Sequence, residues 1–424
     1  MKKLIILLCL GATMMVSAQN INGRFSSSLY SFERYDSPTT SEKYLRAYEM
    51  LNLNFNYDNI SIRSYFNLEG NLSNKMEYDP RLRFYNLYFE ARNLLDVATI
   101  KLGRQPIINN VAGGLFDGAL VNIKKGDYKF SAYYGGNVPA YQKLQLIDNW
   151  SDNYLLGGKF TTTVLKDFQF SVGYINKNYK PESYKTVRLL PDLTLNPLLV
   201  EIENKSNQFQ FITGELSYLN KDFISVFTRY DYDINFNQTS KFEFESRTQG
   251  SDRLNLNVYF NYRSPKIRYN SIFAVFDYGN TYEVELGADY QISSAVTLTG
   301  KFGNVEYKDD NAQRLGFGLA TEWGTVNYRK TFGYAGELDA VSLYSGYTLF
   351  DGLLTPSIGV SFTKYKLSPN DAESNNLTTL LAGFNIRPLR MLSFDVQAQY
   401  MDNKIYKNDF RFFFKLNHWF NLNL

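Results

Sequence analysis

Leu51-Asn52-Leu53-Asn54-Phe55-Asn56-Tyr57 puts an apolar or aromatic side chain at every odd position and asparagine at every even one. Successive side chains leave a β-strand on opposite faces, so a period of two marks a strand with one greasy side and one wet side. The pattern returns far downstream, where Leu254, Leu256, Val258, Phe260 and Tyr262 alternate with Asn255, Asn257, Tyr259 and Asn261. It recurs in Phe168/Phe170/Val172/Tyr174 against Gln169/Ser171/Gly173, in Val284/Leu286/Ala288/Tyr290 against Glu283/Glu285/Asp289, and in Leu392/Phe394/Val396/Ala398/Tyr400 against Ser393/Asp395/Gln397/Gln399. These segments run about 9 to 13 residues, the length a tilted strand needs to cross a bilayer, whereas strands of soluble sheets run about 5 to 6.

The links between the alternating segments point the same way. Short turn-like links stand at Asp58-Asn59, Leu94-Leu95-Asp96, Lys125-Gly126-Asp127, Leu165-Lys166-Asp167, Asn220-Lys221, Ser264-Pro265, Ser293-Ser294, Trp323-Gly324, Phe350-Asp351-Gly352 and Arg387-Pro388-Leu389. Between them lie longer polar connections near 34–44, 70–81, 105–115, 136–152, 179–206, 234–250, 307–311, 366–376 and 402–408, with shorter ones at Gly279-Asn280 and 333–337. Long loops at one mouth and tight turns at the other are the habit of transmembrane barrels. The rhythm predicts an all-β, closed antiparallel transmembrane β-barrel of about 22 strands, within a range of about 16 to 24, with both chain ends at the short-turn mouth. Closure is required because lipid offers no partner to the N–H and C=O groups of an open edge.

Residues 1–18 read as a secretory signal, with Lys2 and Lys3 ahead of the apolar run Leu4 to Val16 and Val16-Ser17-Ala18 as the cleavage site. Residues 19–424 are then one barrel domain, with only Gln19 to Asn22 ahead of the first strand and so no room for a preceding plug. The sole cysteine, Cys9, lies in the leader, so the exported chain is expected to use neither disulfides nor thiolate chemistry. Outside the leader no apolar run reaches the about 18 residues of a transmembrane helix. The 45 basic side chains nearly balance 42 acidic ones, which excludes the basic face that nucleic acid demands. Aromatic residues make up 17% of the chain, 34 Tyr and 33 Phe, and Tyr in particular favours membrane interfaces.

Catalytic chemistry is scarcely available. The single histidine, His418, stands on the parity of Phe414 and Leu416, which places it on the lipid side. Gly157-Gly158-Lys159 lacks the remaining residues of a phosphate loop. The acidic groups Asp231/Asp233, Asp309-Asp310 and Asp402/Asp409 lack the spacing of a calcium loop and read as solvated loop mouths. No catalytic residue, metal site or cofactor is therefore expected.

The polar parity carries charges of both signs: Arg63, Glu69, Glu90, Arg92, Arg229, Asp231, Lys266, Arg268, Glu283, Glu285, Asp289, Lys301, Arg329 and Asp395, followed by Arg411 and Lys415 in the last strand. A lipid-facing Arg or Lys near the bilayer midplane costs about 2 to 4 kcal/mol, so these side chains are expected to line the lumen. There they either bias which solutes pass or neutralise one another across neighbouring strands. The stretch Leu189-Leu190-Pro191-Asp192-Leu193-Thr194-Leu195-Asn196-Pro197-Leu198-Leu199-Val200 is too apolar for a watery loop, and predicts either an inward constriction or a partner contact.

The final segment, Phe410-Arg411-Phe412-Phe413-Phe414 through Trp419-Phe420 to Leu424, resembles the aromatic last strand of outer-membrane barrel proteins, although Leu424 stands where Phe is usual. Lys101-Leu102-Gly103-Arg104-Gln105-Pro106 followed by Leu115-Phe116-Asp117-Gly118-Ala119 is similar to a strand-loop-strand element of porin-like channels. Strict parity puts Arg104 with Ile100 and Leu102, so it must snorkel or follow a bulge. The resemblance implies a passive channel for small polar solutes in a Gram-negative outer membrane, delivered there by the barrel assembly machinery reading the last strand. The alternative is a partner-binding barrel of secretion or surface attachment. The solute and the oligomeric state stay open.

Overall fold

The computed structural model describes residues 19–424 apart from 38–39, 75–78, 109–110, 140–143, 181–182, 190–196, 203–206, 221–222, 309, 335, 369–372 and 404–406. The leader read at 1–18, Lys221 of one expected turn, Asp309, and the centre of the apolar stretch at 190–196 lie outside the described residues. The chain rises and falls through β1 (Asn20–Ser37), β2 (Thr40–Tyr57), β3 (Ile60–Asn71), β4 (Arg81–Leu94), β5 (Ala98–Ile107), β6 (Gly114–Lys125), β7 (Tyr128–Asn137), β8 (Tyr154–Thr162) and β9 (Phe168–Lys177). A separate hairpin of β10 (Tyr184–Leu189) and β11 (Pro197–Ile202) precedes β12 (Phe209–Asn220), β13 (Ile224–Asp233), β14 (Gln238–Ser251), β15 (Leu254–Arg263), β16 (Thr281–Ser293) and β17 (Val296–Tyr307). The wall is completed by β18 (Asp310–Thr321), β19 (Gly324–Gly333), β20 (Glu337–Gly346), β21 (Leu354–Lys366), β22 (Asn375–Leu389), β23 (Leu392–Asn403) and β24 (Lys407–Asn423).

Each wall strand pairs antiparallel with its neighbours, β9 joins β12 across the hairpin, and β24 returns to β1, closing a 22-stranded barrel. The closing register runs from Asn20 opposite Asn423 to Ser31 opposite Phe412. On the lumenal side a buried polar thread spans this seam: Ser26 Oγ donates to Asn417 Oδ1 at 2.7 Å, and Asn417 Nδ2 donates to Ser393 Oγ at 3.3 Å and to Asp395 Oδ2 at 3.2 Å.

Alternation sorts the side chains as the sequence requires. Val284, Leu286, Phe302, Phe317, Leu343, Val360 and Leu380 stand exposed on the outside. Their sequence neighbours on the inner face are Glu283, Glu285, Lys301, Gly316, Ser342, Ser361 and Thr379. Aromatic pairs meet at the rims, Tyr128 stacked on Phe160 and Phe168 tilted against Tyr218 towards the chain-end mouth, Tyr262 tilted against Tyr282 towards the other. An apolar belt between aromatic rims is the exterior that hydrocarbon selects. His418 follows its predicted parity, opposite Phe25 and Leu392 and stacked on Phe420.

One hairpin differs from the sequence reading. Residues 238–251, expected inside the loop 234–250, form β14, and the tight turn lies at 252–253. Ser264-Pro265 opens a long connection, 264–280, where a strand had been expected. The cause is legible afterwards: Lys241-Phe242-Glu243-Phe244-Glu245 alternates, but its wet face is charged and its end, Thr248-Gln249-Gly250, looks like loop. The strand count survives because the lost strand and the gained one cancel.

Leu286, 50% exposed and flanked by Val258 and Phe302 in register, sits near the middle of β16 on the apolar face. Leu286→Arg is expected to destabilise the barrel in lipid vesicles by about 2 to 4 kcal/mol, read as a shifted urea midpoint on refolding. The same change at lumen-facing Thr299 is expected to cost far less.

Candidate functional site

The lumen is the candidate site, and its chemistry follows from which strands carry the charges. Arg63, Glu69, Glu90, Glu283, Glu285, Asp289, Lys301, Arg329 and Asp395 all stand on the wet parity of wall strands, as do Arg411 and Lys415. Arg92 bends to the chain-end rim, where its Nη2 donates to the Asp58 carbonyl at 3.3 Å. Arg229 and Asp231 are on the inner face but buried against each other, Nη2 to Oδ2 2.9 Å, with Thr213 Oγ1 donating to Asp231 at 2.8 Å. Lys266 and Arg268 are corrected: neither belongs to a strand, and both lie in the connection 264–280. The sequence reading missed Glu243, Glu245 and Arg247 with β14, and Arg314, which faces Gly303 on β18.

The charges are unevenly distributed around the ring. On β2 to β5, Glu69 Oε1 lies 3.5, 3.7 and 3.2 Å from Arg46, Arg81 and Arg83. Next to it Glu90 meets Arg63 at 3.4 Å and Lys101 at 4.0 Å. Five cations around two carboxylates leave this wall electropositive. Half the ring away in strand order, Glu283 and Glu285 share Arg314, Glu285 also meets Lys301 at 3.1 Å, and Asp289 meets Arg247 at 3.7 Å. Glu243 and Glu245 sit in register beside this group on β14. With five carboxylates against three cations, that wall is acidic.

The far mouth, opposite the chain ends, is narrowed from inside. Phe116, Leu120, Tyr133, Leu155, Ile175 and Phe211 lie on the wet parity of β6 to β12, yet all are buried. Val111 and Ala112 of the β5–β6 connection cover them. Apolar side chains facing a watery lumen would be costly at about 25 cal/mol per Å², and the covering residues remove that surface from water. Lys177 Nζ donates to the Gly113 carbonyl at 3.0 Å, and Lys266 Nζ to the Val111 carbonyl at 3.2 Å. Burial lowers the Lys266 ammonium from its ordinary pKa, while Asp231 pulls it upward. The connection 264–280 is further tied by Asn270 Nδ2 to the Tyr179 carbonyl at 3.2 Å and by Phe236 edge-on to Tyr269.

The constriction therefore comes from residues 111–113 and 264–280. The described part of the stretch expected to fold inward, 184–189 and 197–202, makes its own two-stranded sheet, and Val187, Leu198 and Leu199 remain exposed. A seventeen-residue excursion pinned by hydrogen bonds to distant segments can close a mouth; a hairpin that completes its own hydrogen bonds has no need to join the wall.

Arg104 neither snorkels nor stands alone. It pairs bidentately with Asp117, Nε to Oδ1 2.7 Å and Nη2 to Oδ2 2.8 Å, and the two are only 2% and 3% exposed. In register both stand on the face of Leu102, Ala119 and Tyr134, the apolar exterior. The connection after β7 covers them: Arg104 donates to the Gln145 carbonyl at 3.0 Å, and the Ile147 N–H donates to Asp117 at 2.9 Å. Gly136 makes the space, since a Cβ there would meet Ile147 at 2.6 Å.

No protein-family model matches the chain, and no curated protein does either. Among solved structures, the translocation pore of the P pilus usher PapC is similar at 9% identity over 94% of this chain and 99% of that one, TM-score 0.51. A BenF-like porin from Pseudomonas fluorescens aligns at 8% identity over 95% and 98%, TM-score 0.45. Acinetobacter baumannii OccAB3 aligns at 10% identity over 95% and 99%, TM-score 0.43. At such identities the shared property is the fold, a large closed antiparallel β-barrel.

Arg104→Met leaves Asp117 buried without its cation, and breaking one side of a buried pair costs about 3 to 5 kcal/mol. The expected result is a lower unfolding midpoint together with new protease cleavage within 144–153. An uncut connection in the variant would show that the ion pair does not hold it.

Proposed function

We propose that the protein is a passive channel of a Gram-negative outer membrane, admitting small polar solutes between an apolar outer belt and a wet, charged inner wall. The observation that carries this reading is the sorting of side chains by parity around most of the wall, which leaves polar and charged rows along the inside of a barrel too wide to pack solid. Barrels of about 16 to 18 strands already enclose an aqueous channel. In this orientation residues 1–18 direct export and are removed, both chain ends face the periplasm, and the loop-rich mouth faces outward. The aromatic β24 is the segment the assembly machinery would read. The porins among the structural neighbours are consistent with the proposal.

The constriction at 111–113 and 264–280 makes the channel selective in size, and the electropositive wall of β2 to β5 makes it selective in charge. Lumenal charge biases passage most where the channel is narrow and the local dielectric low. No reaction is assigned. His418, the one histidine, faces the apolar exterior against Phe420, with no lumenal nucleophile to activate.

A second reading, a barrel that holds a partner, draws on the exposed Val187, Leu198 and Leu199 of the β10–β11 hairpin. A stoichiometric companion recovered from native membranes, lost on deletion of 184–202, would favour it over the channel.

Purified protein in a planar bilayer is expected to give stepwise conductance with a preference for chloride over potassium. Arg63→Glu with Lys101→Glu should reverse that preference without changing the size of the open step by more than about twofold. Silence of both the parent protein and a Lys266→Ala variant, in which the latch to Val111 is released, would defeat the channel reading.

A further inference from the structure

The lumenal surface near the chain ends is built differently from the rest of the wall. Asn20, Asn22, Arg24, Asn52, Asn54 and Trp419 line a recess of about 660 Å³ that straddles the seam. Its amides form a partly saturated lattice. Asn20 Nδ2 donates to Asn421 at 2.6 Å and to Asn423 at 2.7 Å, Asn22 Nδ2 to Asn20 at 2.6 Å, and Asn54 Nδ2 to Asn22 at 3.0 Å. Each amide has two donor hydrogens and an oxygen with two lone pairs, so the lattice orients these groups without exhausting them.

Three groups in the recess keep their capacity free. The Asn52 amide, the Arg24 guanidinium and the Trp419 indole N–H make no side-chain hydrogen bond among the described residues. Arg387 lies over the Trp419 ring, 5.9 Å to its centroid, which takes one π-face and holds the ring in place. A second recess, of about 420 Å³, continues from Asn52 and Asn54 to Asn86, Tyr88 and the charged group Arg63, Glu90 and Lys101, so the neutral character belongs to the larger recess. Within the larger recess, neutral groups that both donate and accept thus stand beside the flat Trp419 ring.

We infer that this shelf is a binding site for neutral carbohydrate, so that the solute preferred by the channel is a small oligosaccharide. A sugar hydroxyl donates and accepts at once, which matches an amide and mismatches a like-charged row. The C–H faces of a pyranose suit an indole or phenol ring, and orienting a ligand by a few convergent polar groups beside aromatic surface is how small-molecule sites work. Arg24 is the one charged side chain lining the larger recess, against five asparagines, so neutral hydrogen-bonding groups dominate it.

The inference rests on the channel reading but is tested separately from it. Calorimetric titration of maltotriose into detergent-solubilised protein should give millimolar binding. Trp419→Ala and Asn52→Leu should each weaken it at least fivefold, Trp419→Phe should restore most of it, and lumenal Asn255→Leu should bind like the parent. In planar bilayers maltotriose should interrupt the current, and potassium gluconate at equal concentration should not. Absence of maltotriose binding, or binding that survives both Trp419→Ala and Asn52→Leu in protein that retains its β-sheet circular dichroism, overturns the carbohydrate site. A barrel that conducts salt but ignores maltotriose loses only the carbohydrate site; one that binds it without conducting loses only the channel reading.

Discussion

The register between β1 and β24 is the contact on which the rest depends, because an amide in hydrocarbon has no water to fall back on. Every other pairing in the wall joins strands close in sequence, which tight turns, longer loops or one hairpin excursion bring together. The seam joins residues nearly the whole chain apart, and it must be found last, after loop-closure entropy has been met for the entire barrel. Its inner surface is correspondingly well supplied with side-chain hydrogen bonds: the Asn20 lattice at the rim and the buried Ser26–Asn417–Ser393 thread higher up. These bonds are worth about 1 kcal/mol each at most, but they fix register, and a slip of one residue would turn every side chain of a strand to the wrong medium.

Once the seam fixes parity, almost everything else is sorted by solvent. Two of the exceptions are informative because each carries its own cover. On the inside, Phe116, Leu155, Ile175 and Phe211 defy the wet lumen and are sheathed by Val111 and Ala112. On the outside, Arg104 and Asp117 defy the apolar belt and are sheathed by residues 144–150, with Gly136 left bare so that Ile147 can sit against the wall. The two covers come from successive connections, those after β5 and β7, one folding inward and the other outward. Gly103, at φ +127°, begins this irregularity, since a Cβ there would meet the Leu87 carbonyl at 2.4 Å.

Most of the architecture was legible because period two is imposed on the chain by two immiscible surroundings. Leu51 to Tyr57 and Val284 to Tyr290 could be read directly, and the strand number, the tight turns at Asp58-Asn59 and Gly126-Asp127, and the position of His418 followed from them. The site was less legible. Lys266 and Arg268 read as strand because charged, alternating-looking sequence flanks Pro265, whereas Glu243 and Glu245 read as loop because charge at that density resembles one. Alternation reports the face of a strand and says nothing of a loop's path. The fold-back of 264–280 depends on hydrogen bonds from Lys266 and Asn270 to carbonyls of Val111 and Tyr179, partners so remote in sequence that no local pattern announces them.

The narrowed mouth follows from the same argument about solvent. A barrel of this girth cannot fill its interior with wall side chains, so anything that narrows it must bring its own hydrogen bonds or cover apolar surface already inside. The cluster beneath Val111 supplies that surface on β6 to β12, next to the electropositive β2 to β5. The hairpin β10–β11 pairs only with itself and leaves Leu198 and Leu199 exposed. Constriction and field therefore act in sequence along one water-filled bore, and the amide shelf adjoins the cationic wall directly, Asn54 standing opposite Arg63 in register: a solute is sized at the looped mouth, feels the charges of β2 to β5, and meets the asparagine rows beside them where the first and last strands are sewn together.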